Sequence, residues 1–373
     1  MNNNLFALLG IVILLFGTAI GYAQEGRIEQ EKKIDELIGN LGTRYWEVAA
    51  DGLVEIGEAA VERLIETLNI GSGRPSQNAN FVLVRIGTLK AVDAVIRALK
   101  NQKFDFRVRA NAAGALGEID SKDVISPLIE TLQTDSHWWV RNFAVGSLGK
   151  LGSEKVVDPL IGALNDENQY VRRAAVAELG KLKPDKAILP LIDCLKDVDW
   201  QLRLQAPEIL VEFGNETEKH LLEALKNDNK WIKVGAANVL GRIGSESAVL
   251  PIMSLLNNQE RMVRDEAAVA LSRLNSKVAV KALLDLLKHE SSYVREGAAW
   301  VLGEMRTKAA VRSLIQVLDD EDMGWMAAVS LGKIGDENAI EPLKKKMADQ
   351  DSRVGQAAAW ALARMLLDEI ENS

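Results

Sequence analysis

One short pattern returns eleven times along the chain, at steps of 29 to 33 residues. In each copy an anchor residue is followed three positions later by alanine and seven positions later by leucine, as in RNFAVGSL at residues 141–148. Neither the alanine nor the leucine is missing from any copy. The anchors are Trp46, Ser76, Arg109, Arg141, Arg172, Arg203, Lys233, Arg264, Arg295, Gly324 and Gly355. Internal repeats of this length are typical of arrays in which each copy is one supersecondary unit.

The alanine and the leucine lie four positions apart, and an apolar residue commonly precedes the anchor. Residues at this spacing share one face of an α-helix, so each copy is predicted to contain a helix with a buried stripe. Sequences such as KVVDPLIGAL indicate an earlier helix in each copy. Proline recurs near its start, where a helix tolerates it, at Pro127, Pro159, Pro190, Pro251 and Pro342.

An acidic residue recurs between the two predicted helices, six positions before the anchor. The residues in question are Asp135, Asp166, Asp197 and Asp349. They stand in short polar turns, and we predict that they cap the second helix. Calcium binding by these carboxylates is the alternative for an exported protein.

These features together resemble the short HEAT repeats of phycobilisome-lyase-type proteins, over about residues 31–366. The resemblance implies an all-α fold, a right-handed α-solenoid of about eleven two-helix repeats spanning residues 24–373. It also implies that Arg141, Arg172 and Arg203 bind the Asp or Asn of a neighbouring turn and form a stabilising ladder. A single helix pair cannot bury its apolar stripe alone, so neighbouring repeats must stack.

The first 23 residues are set apart by the apolar run LFALLGIVILLF and the small residues Gly21 and Ala23. This pattern predicts a cleaved signal peptide, and a retained membrane anchor is the alternative. The protein is therefore expected to be exported, whether periplasmic, extracellular or anchored facing outward. Cys194 is the single cysteine and is predicted to be a buried, inert thiol.

Composition and charge limit the possible functions. Hydrophobic residues make up 47% of the chain, enough for a folded core. The formal charge of −8 argues against nucleic-acid binding, which needs a concentration of Lys and Arg, although a local basic strip stays open.

Residues for catalysis are scarce. The three histidines fall in different repeats with no acid or nucleophile at a repeated offset. The HEAT-like enzyme deoxyhypusine hydroxylase holds iron with His-Glu pairs at the start of its second helices, where this chain has Asp265-Glu266 and Glu296-Gly297. We therefore predict no catalytic residue, no metal and no cofactor.

Seven aromatic residues lie on the helix face opposite the alanine stripe, at two residues before, one after or five after the anchor. They are Trp139, Tyr170, Trp231, Tyr293, Trp300, Trp325 and Trp360. In HEAT-like arrays this face lines the concave surface, so the rings are candidates for binding a protein partner. The alternative is that they pack over adjacent repeats and shield the core. Trp46, Trp138 and Trp200, at other offsets, are assigned to packing.

The sequence thus predicts a non-catalytic scaffold that binds a protein partner along one face. Two other hypotheses stay open. One is a lyase-like enzyme subunit or chaperone for attachment of a chromophore or prosthetic group, and the other is a purely structural spacer.

Overall fold

The computed structural model describes residues 24–348 and 352–371, so the predicted signal peptide or anchor at residues 1–23 lies outside it. Over the described residues the chain is built from helices and turns, with no strand. Eleven helix pairs occupy the predicted positions, which confirms the all-α repeat architecture. Among these helices none is both long enough and apolar enough to cross a membrane.

The chain divides into two compact units after Leu182. We number the helix pairs as repeats 1 to 11 and call the two helices of each pair its first and second helix. Unit 1 contains repeats 1 to 5, and unit 2 begins at Lys183 and contains repeats 6 to 11.

The second helices carry the anchors. In unit 1 they are Trp46–Ile56, Gly73–Ile86, Phe106–Leu116, Trp138–Leu151 and Gln169–Leu182. In unit 2 they are Trp200–Phe213, Lys230–Ile243, Arg261–Leu274, Ser292–Glu304, Gly324–Ile334 and Arg353–Glu371.

Most first helices are shorter. In unit 1 they span 24–40, Val61–Asn69, Leu89–Lys100, Ile125–Thr134 and Val157–Ala163. In unit 2 they span Ile188–Asp193, Glu218–Ala224, Val249–Ser254, Lys277–Leu286, Val311–Gln316 and Ile340–Met347. The five recurring prolines each stand third in their α-helix, directly after a 3₁₀ turn. Because the first turn of a helix leaves its N–H groups unbonded, proline loses nothing there, as predicted.

The repeated alanines and leucines form the core. All eleven alanines are buried, and so are ten of the eleven leucines, the exception being the partly exposed Leu362 in repeat 11. The predicted buried stripe is confirmed. Cys194 is buried, also as predicted.

Glycines after the leucine let neighbouring second helices approach closely. A Cβ atom on Gly241 would lie 2.8 Å from the Cα of Ala270 in the next second helix. A Cβ on Gly332 would lie 2.6 Å from the Cα of Ala361. Real Cβ atoms do not come this close to backbone, so any larger residue would force the two helices apart.

The acidic residues of the turns do not cap the second helix themselves but bind the residue that does. Asp197 accepts a hydrogen bond from the N–H of Asp199, and Asp199 in turn accepts from the N–H of Gln201 and is the helix cap. Asp135 with His137 and Asp166 with Asn168 repeat the arrangement. The prediction of direct capping is therefore wrong, because the cap needs a side chain adjacent to the helix and the acidic residue stands two positions earlier. Asp349 lies outside the described residues.

Candidate functional site

The anchor arginines are fixed by the backbone of their own repeat. In five of the six, Nη1 donates to the carbonyl oxygen six residues earlier, at 2.7 to 2.9 Å, while Arg109 donates to that of Phe104, five residues earlier. The arginines that do so are Arg141, Arg172, Arg203, Arg264 and Arg295. This bond closes the turn before the second helix and sets where the rest of the guanidinium group can reach.

In repeats 3 and 4 the other edge of the guanidinium binds an aspartate of the next repeat. Arg109 donates from Nε and Nη2 to the two carboxylate oxygens of Asp135, at 2.8 and 2.9 Å. Arg141 binds Asp166 in the same way, at 2.7 and 2.8 Å. Side chains in both pairs are less than a tenth exposed. The predicted ladder is confirmed at Arg141, since two-point pairs of this kind are strong and directional.

Asp135 is held in its charged form. Burial raises the pKa of a carboxyl group, but hydrogen bonds from Arg109, from the N–H of His137 and from Gln102 outweigh it. The net effect lowers the pKa of Asp135 below its ordinary value. The Arg109–Asp135 pair therefore stays ionised inside unit 1 at neutral pH.

In repeats 6 and 8 the anchor arginine stacks on an aromatic ring instead. The guanidinium carbon of Arg203 lies 4.3 Å from the ring centre of Trp231, and that of Arg264 lies 4.1 Å from Tyr293. In the next repeat, the position that aspartate occupies in repeats 4 and 5 is taken by Asn227 or His289. Without a carboxylate to bind, the guanidinium covers the ring, so the predicted ladder is wrong at Arg203.

The seven aromatic residues of the predicted face differ in exposure. Trp139, Tyr170, Tyr293 and Trp360 are exposed by 41 to 57%, while Trp231, Trp300 and Trp325 are partly buried. The four exposed rings fit the binding interpretation and the three partly buried rings fit the shielding interpretation, and both stay predictions.

Trp200 is 59% exposed, so its assignment to packing is wrong. Trp138 has the same offset but is partly buried, with its ring stacked 5.1 Å from Tyr170 of the next repeat. The equivalent ring for Trp200 is Trp231, whose face Arg203 covers. This difference leaves Trp200 facing solvent. Trp46 is partly buried.

Unit 1 gathers aromatic side chains into one cluster across repeats 3 to 5. Phe106 stacks on His137 at 3.8 Å, and His137 lies 6.0 Å from Trp138. Trp139 meets Trp138 edge-on at 5.2 Å and also contacts the ring of Phe143 at 5.7 Å. The exposed rings are therefore backed by other rings, which fixes their orientation.

Unit 2 instead has clefts on the second-helix face. One, of about 500 Å³, is lined by Tyr293, Trp300 and Trp325 together with charged side chains of both signs. Trp325 donates from Nε1 to Glu296 at 3.2 Å, and Arg353 lies over the Trp325 ring at 3.7 Å. A smaller cleft of about 280 Å³ lies along Trp200, Arg203 and Trp231. A hollow of about 840 Å³ between first helices has no aromatic ring, so we do not place the site there.

Glu266 also lines the smaller cleft. Burial raises its pKa above the ordinary value, and the hydrogen bond from Asn238 and the charge of Arg273 only partly offset this. Within the described parts of the chain, no three His, Cys, Asp or Glu side chains lie close enough together to hold a metal ion.

The sequence model of HEAT repeats matches residues 61–145, 92–168, 157–220, 218–295 and 280–363. The chain belongs to the HEAT-repeat family. Among solved structures, this HEAT-repeat chain is similar to Kap95p, whose binding induces the switch loops of RanGDP to adopt the GTP-bound conformation, with 14% identity and a TM-score of 0.51. That match covers 89% of this chain and 56% of Kap95p. Kap121p matches with 13% identity and a TM-score of 0.56, over 90% of this chain and 44% of the other.

This HEAT-repeat chain thus spans about half the length of these two structures, and at such identities the likeness shows the fold alone. Human deoxyhypusine hydroxylase also matches, with 21% identity over 66% of this chain and 96% of that chain, but its TM-score of 0.31 supports no argument. A comparison with curated proteins gives no match.

Proposed function

We propose that this HEAT-repeat protein is a non-catalytic scaffold that binds a protein partner along its second-helix face. The observation that carries the proposal is the exposure of Trp139, Tyr170, Tyr293 and Trp360, all on that face. Exposed rings of this kind anchor protein interfaces, because each buries a large apolar area and loses little side-chain entropy on binding.

The surroundings of the rings support binding rather than accidental exposure. Tyr170 is stacked on Trp138, and Trp139 leans on Phe143, so neither ring has to be ordered when a partner arrives. Arg264 and Arg364 lie over Tyr293 and Trp360. A preorganised surface keeps more of its contact energy as affinity.

The proposal also covers the type of repeat, the location of the protein and the class of its partner. The repeats are of the short phycobilisome-lyase type, as the step of about 31 residues favours. The protein is exported, and residues 1–23 either direct export or tether it to a membrane. The partner is a protein. Kap95p, which has a similar fold, likewise acts on a protein, RanGDP.

The test is co-purification with two double variants, one in each unit. Trp139→Ala with Tyr170→Ala removes two exposed rings of unit 1, and Tyr293→Ala with Trp360→Ala removes two of unit 2. Leu189→Ala with Leu250→Ala is the matched control, because these leucines are 59 and 61% exposed but lie on first helices. Proteins captured by tagged wild type and variants are compared by quantitative mass spectrometry.

We expect the wild type and the leucine control to retain one or more partners that at least one aromatic variant loses. Equal capture by all four proteins, with unchanged circular dichroism, would contradict the proposal and favour a structural spacer. A chromophore or prosthetic group in the purified wild type would favour the lyase-like alternative.

A further inference from the structure

We propose that Arg203, Lys233 and Arg264 of unit 2 bind the carboxylates of an acidic segment of the protein partner. This inference rests on the proposed scaffold function and names the chemistry of its partner. The three residues are the anchors of repeats 6, 7 and 8, so they occupy the same place in consecutive repeats.

The chain itself shows what this position binds. In repeats 3 and 4 the anchor arginine receives a carboxylate at two points, from Asp135 or Asp166. In repeat 9, Arg295 lies 3.1 Å from a carboxylate oxygen of Asp320. A planar carboxylate presented at the same edge of the guanidinium is thus the ligand that the local geometry accepts.

Arg203 and Arg264 lack that carboxylate. Nη1 of each is bonded to two carbonyl oxygens of its own turn, and the guanidinium carbon of each lies over a ring of the next repeat. No acidic side chain of the described chain lies within ion-pair distance of either. Both are only partly buried. Each guanidinium is therefore held in place while its Nε and Nη2 edge stays available to a ligand.

Lys233, the anchor of repeat 7, lies between Arg203 and Arg264 in the order of the repeats. It is partly exposed, and across the part of the chain that the structure describes it has no ion-pair partner. In the next repeat, the position that aspartate occupies in repeats 4 and 5 is taken by Asn258, which is neutral. Three consecutive repeats thus each have a cation that faces no carboxylate at this position, and we call Arg203, Lys233 and Arg264 the cation row.

The acidic residues that face the same clefts are already engaged. Glu208 is paired with Arg242, and Asp265 with Arg261. Glu266 accepts from Asn238, and Glu296 accepts from Trp325. Because these carboxylates interrupt the positive row, a continuous phosphate backbone fits poorly, whereas separate carboxylates spaced to match the cations fit well.

The spacing of the repeats sets the spacing of the acids. Neighbouring packed helices lie about 8–10 Å apart, and a chain in the polyproline II conformation advances about 3.1 Å per residue and returns its side chains to the same face every third residue. A segment in this conformation with an acidic residue at every third position would therefore meet one cation per repeat. Trp200 and Leu204, 59 and 63% exposed, border Arg203 and offer apolar contact to the residues between the acids.

The first experiment measures fluorescence anisotropy of a labelled peptide with glutamate at every third position, separated by serines. A peptide with glutamine in place of glutamate and a single-stranded oligonucleotide serve as comparisons. We expect the wild type to bind the glutamate peptide at least about tenfold more tightly than the glutamine peptide, and more weakly as salt rises. Equal binding of both peptides, or tighter binding of the oligonucleotide, would overturn the proposal.

Variants then locate the binding. Arg203→Gln with Arg264→Gln should weaken glutamate-peptide binding about tenfold or more. The control, Arg97→Gln with Arg312→Gln, removes the same charge from exposed positions on first helices and should change nothing. Asn227→Asp with His289→Asp keeps both arginines but supplies the missing carboxylates within the chain, and it should weaken the peptide to a similar degree. Unchanged binding in both the arginine and the aspartate pairs would contradict the inference.

The same variants separate this inference from the scaffold function. If the aromatic variants lose the cellular partner while Arg203→Gln with Arg264→Gln retains it, the scaffold stands and the acidic-segment proposal fails. If no variant loses a partner but the glutamate peptide still binds in an arginine-dependent way, the cation row is real and the proposed aromatic interface is wrong.

Discussion

Arg141 in unit 1 and Arg203 in unit 2 hold the same place in their repeats, yet they have different partners. Both donate to the carbonyl oxygen six residues earlier. Arg141 then binds Asp166, whereas Arg203 stacks on Trp231. The comparison separates two roles of one residue: closing the turn is common to both, and binding a carboxylate depends on what the next repeat supplies. Where the next repeat has no carboxylate at this position, we propose that the cation of the preceding repeat binds a ligand instead.

Acidic residues of the two units show the same contrast. Asp135 in unit 1 is paired with Arg109, and its pKa is lowered despite burial. Glu266 in unit 2 accepts from an amide and has Nη1 of Arg273 3.8 Å away, yet burial still raises its pKa. Asp135 therefore adds stability in its charged form, while the charged form of Glu266 lies, at a net cost, in a candidate binding cleft.

The largest expected effect comes from breaking a buried rung. Asp135→Ala leaves Arg109, whose side chain is 5% exposed, without its carboxylate, and should cost about 3–5 kcal/mol. Removing the ring from under Arg203 by Trp231→Ala should cost less, because Arg203 is partly exposed and water can solvate it. Hydrogen exchange of the full chain, followed repeat by repeat, measures both. Equal losses of protection would contradict this ranking.

An intermediate effect is expected from pH. The lowered pKa of Asp135 gives stability that is present above its unfolded value of 3.8 and is lost as pH falls through the folded pKa. The raised pKa of Glu266 has the opposite sign: its contribution is present below 4.5 and is lost as pH rises through the folded pKa. Glu266→Gln should therefore stabilise unit 2 by about 1 kcal/mol at neutral pH.

Urea denaturation of wild type and Glu266→Gln at neutral pH and below pH 4.5 checks the sign. The gain should shrink in acid, where glutamate itself is protonated. Glu208→Gln is the control, because Arg242 lowers the pKa of Glu208 and the substitution should destabilise at neutral pH. A stabilisation that is the same at both pH values would rule out the desolvated charge as its cause.

The fold was predictable because its signal is repeated. Small and large apolar residues at fixed offsets occur in every copy, and a helix can bury them only on one side. Ring exposure was less predictable, since Trp138 and Trp200 share an offset but differ in burial. Their surroundings depend on the next repeat: Tyr170 stacks on Trp138, whereas Trp231 stacks on Arg203 and leaves Trp200 exposed.

We did not predict the cation row from the sequence, although the turn residues that distinguish it are visible there. The turn residue six positions before the anchor changes from Asp166 to Asn227 and His289. Our prediction of a general ladder treated Asp and Asn as equivalent. They both accept the backbone N–H two residues later, but only aspartate supplies the charge that binds an arginine.

The smallest expected effect is a gain from completing one rung. Asn227→Asp retains the oxygen that accepts from the N–H of Asn229 and adds a charge opposite Arg203. Because position 227 is exposed, the new pair should stabilise unit 2 by no more than about 1 kcal/mol and should weaken with salt. Asn227→Ala, which loses both the oxygen and the charge, should destabilise. If Asn227→Asp also releases Arg203 from Trp231, the indole fluorescence of Trp231 should change. A stabilised variant with unaltered fluorescence would mean that the guanidinium binds the carboxylate and the ring together. One anchor arginine could then pair with a carboxylate while it stays stacked on its ring.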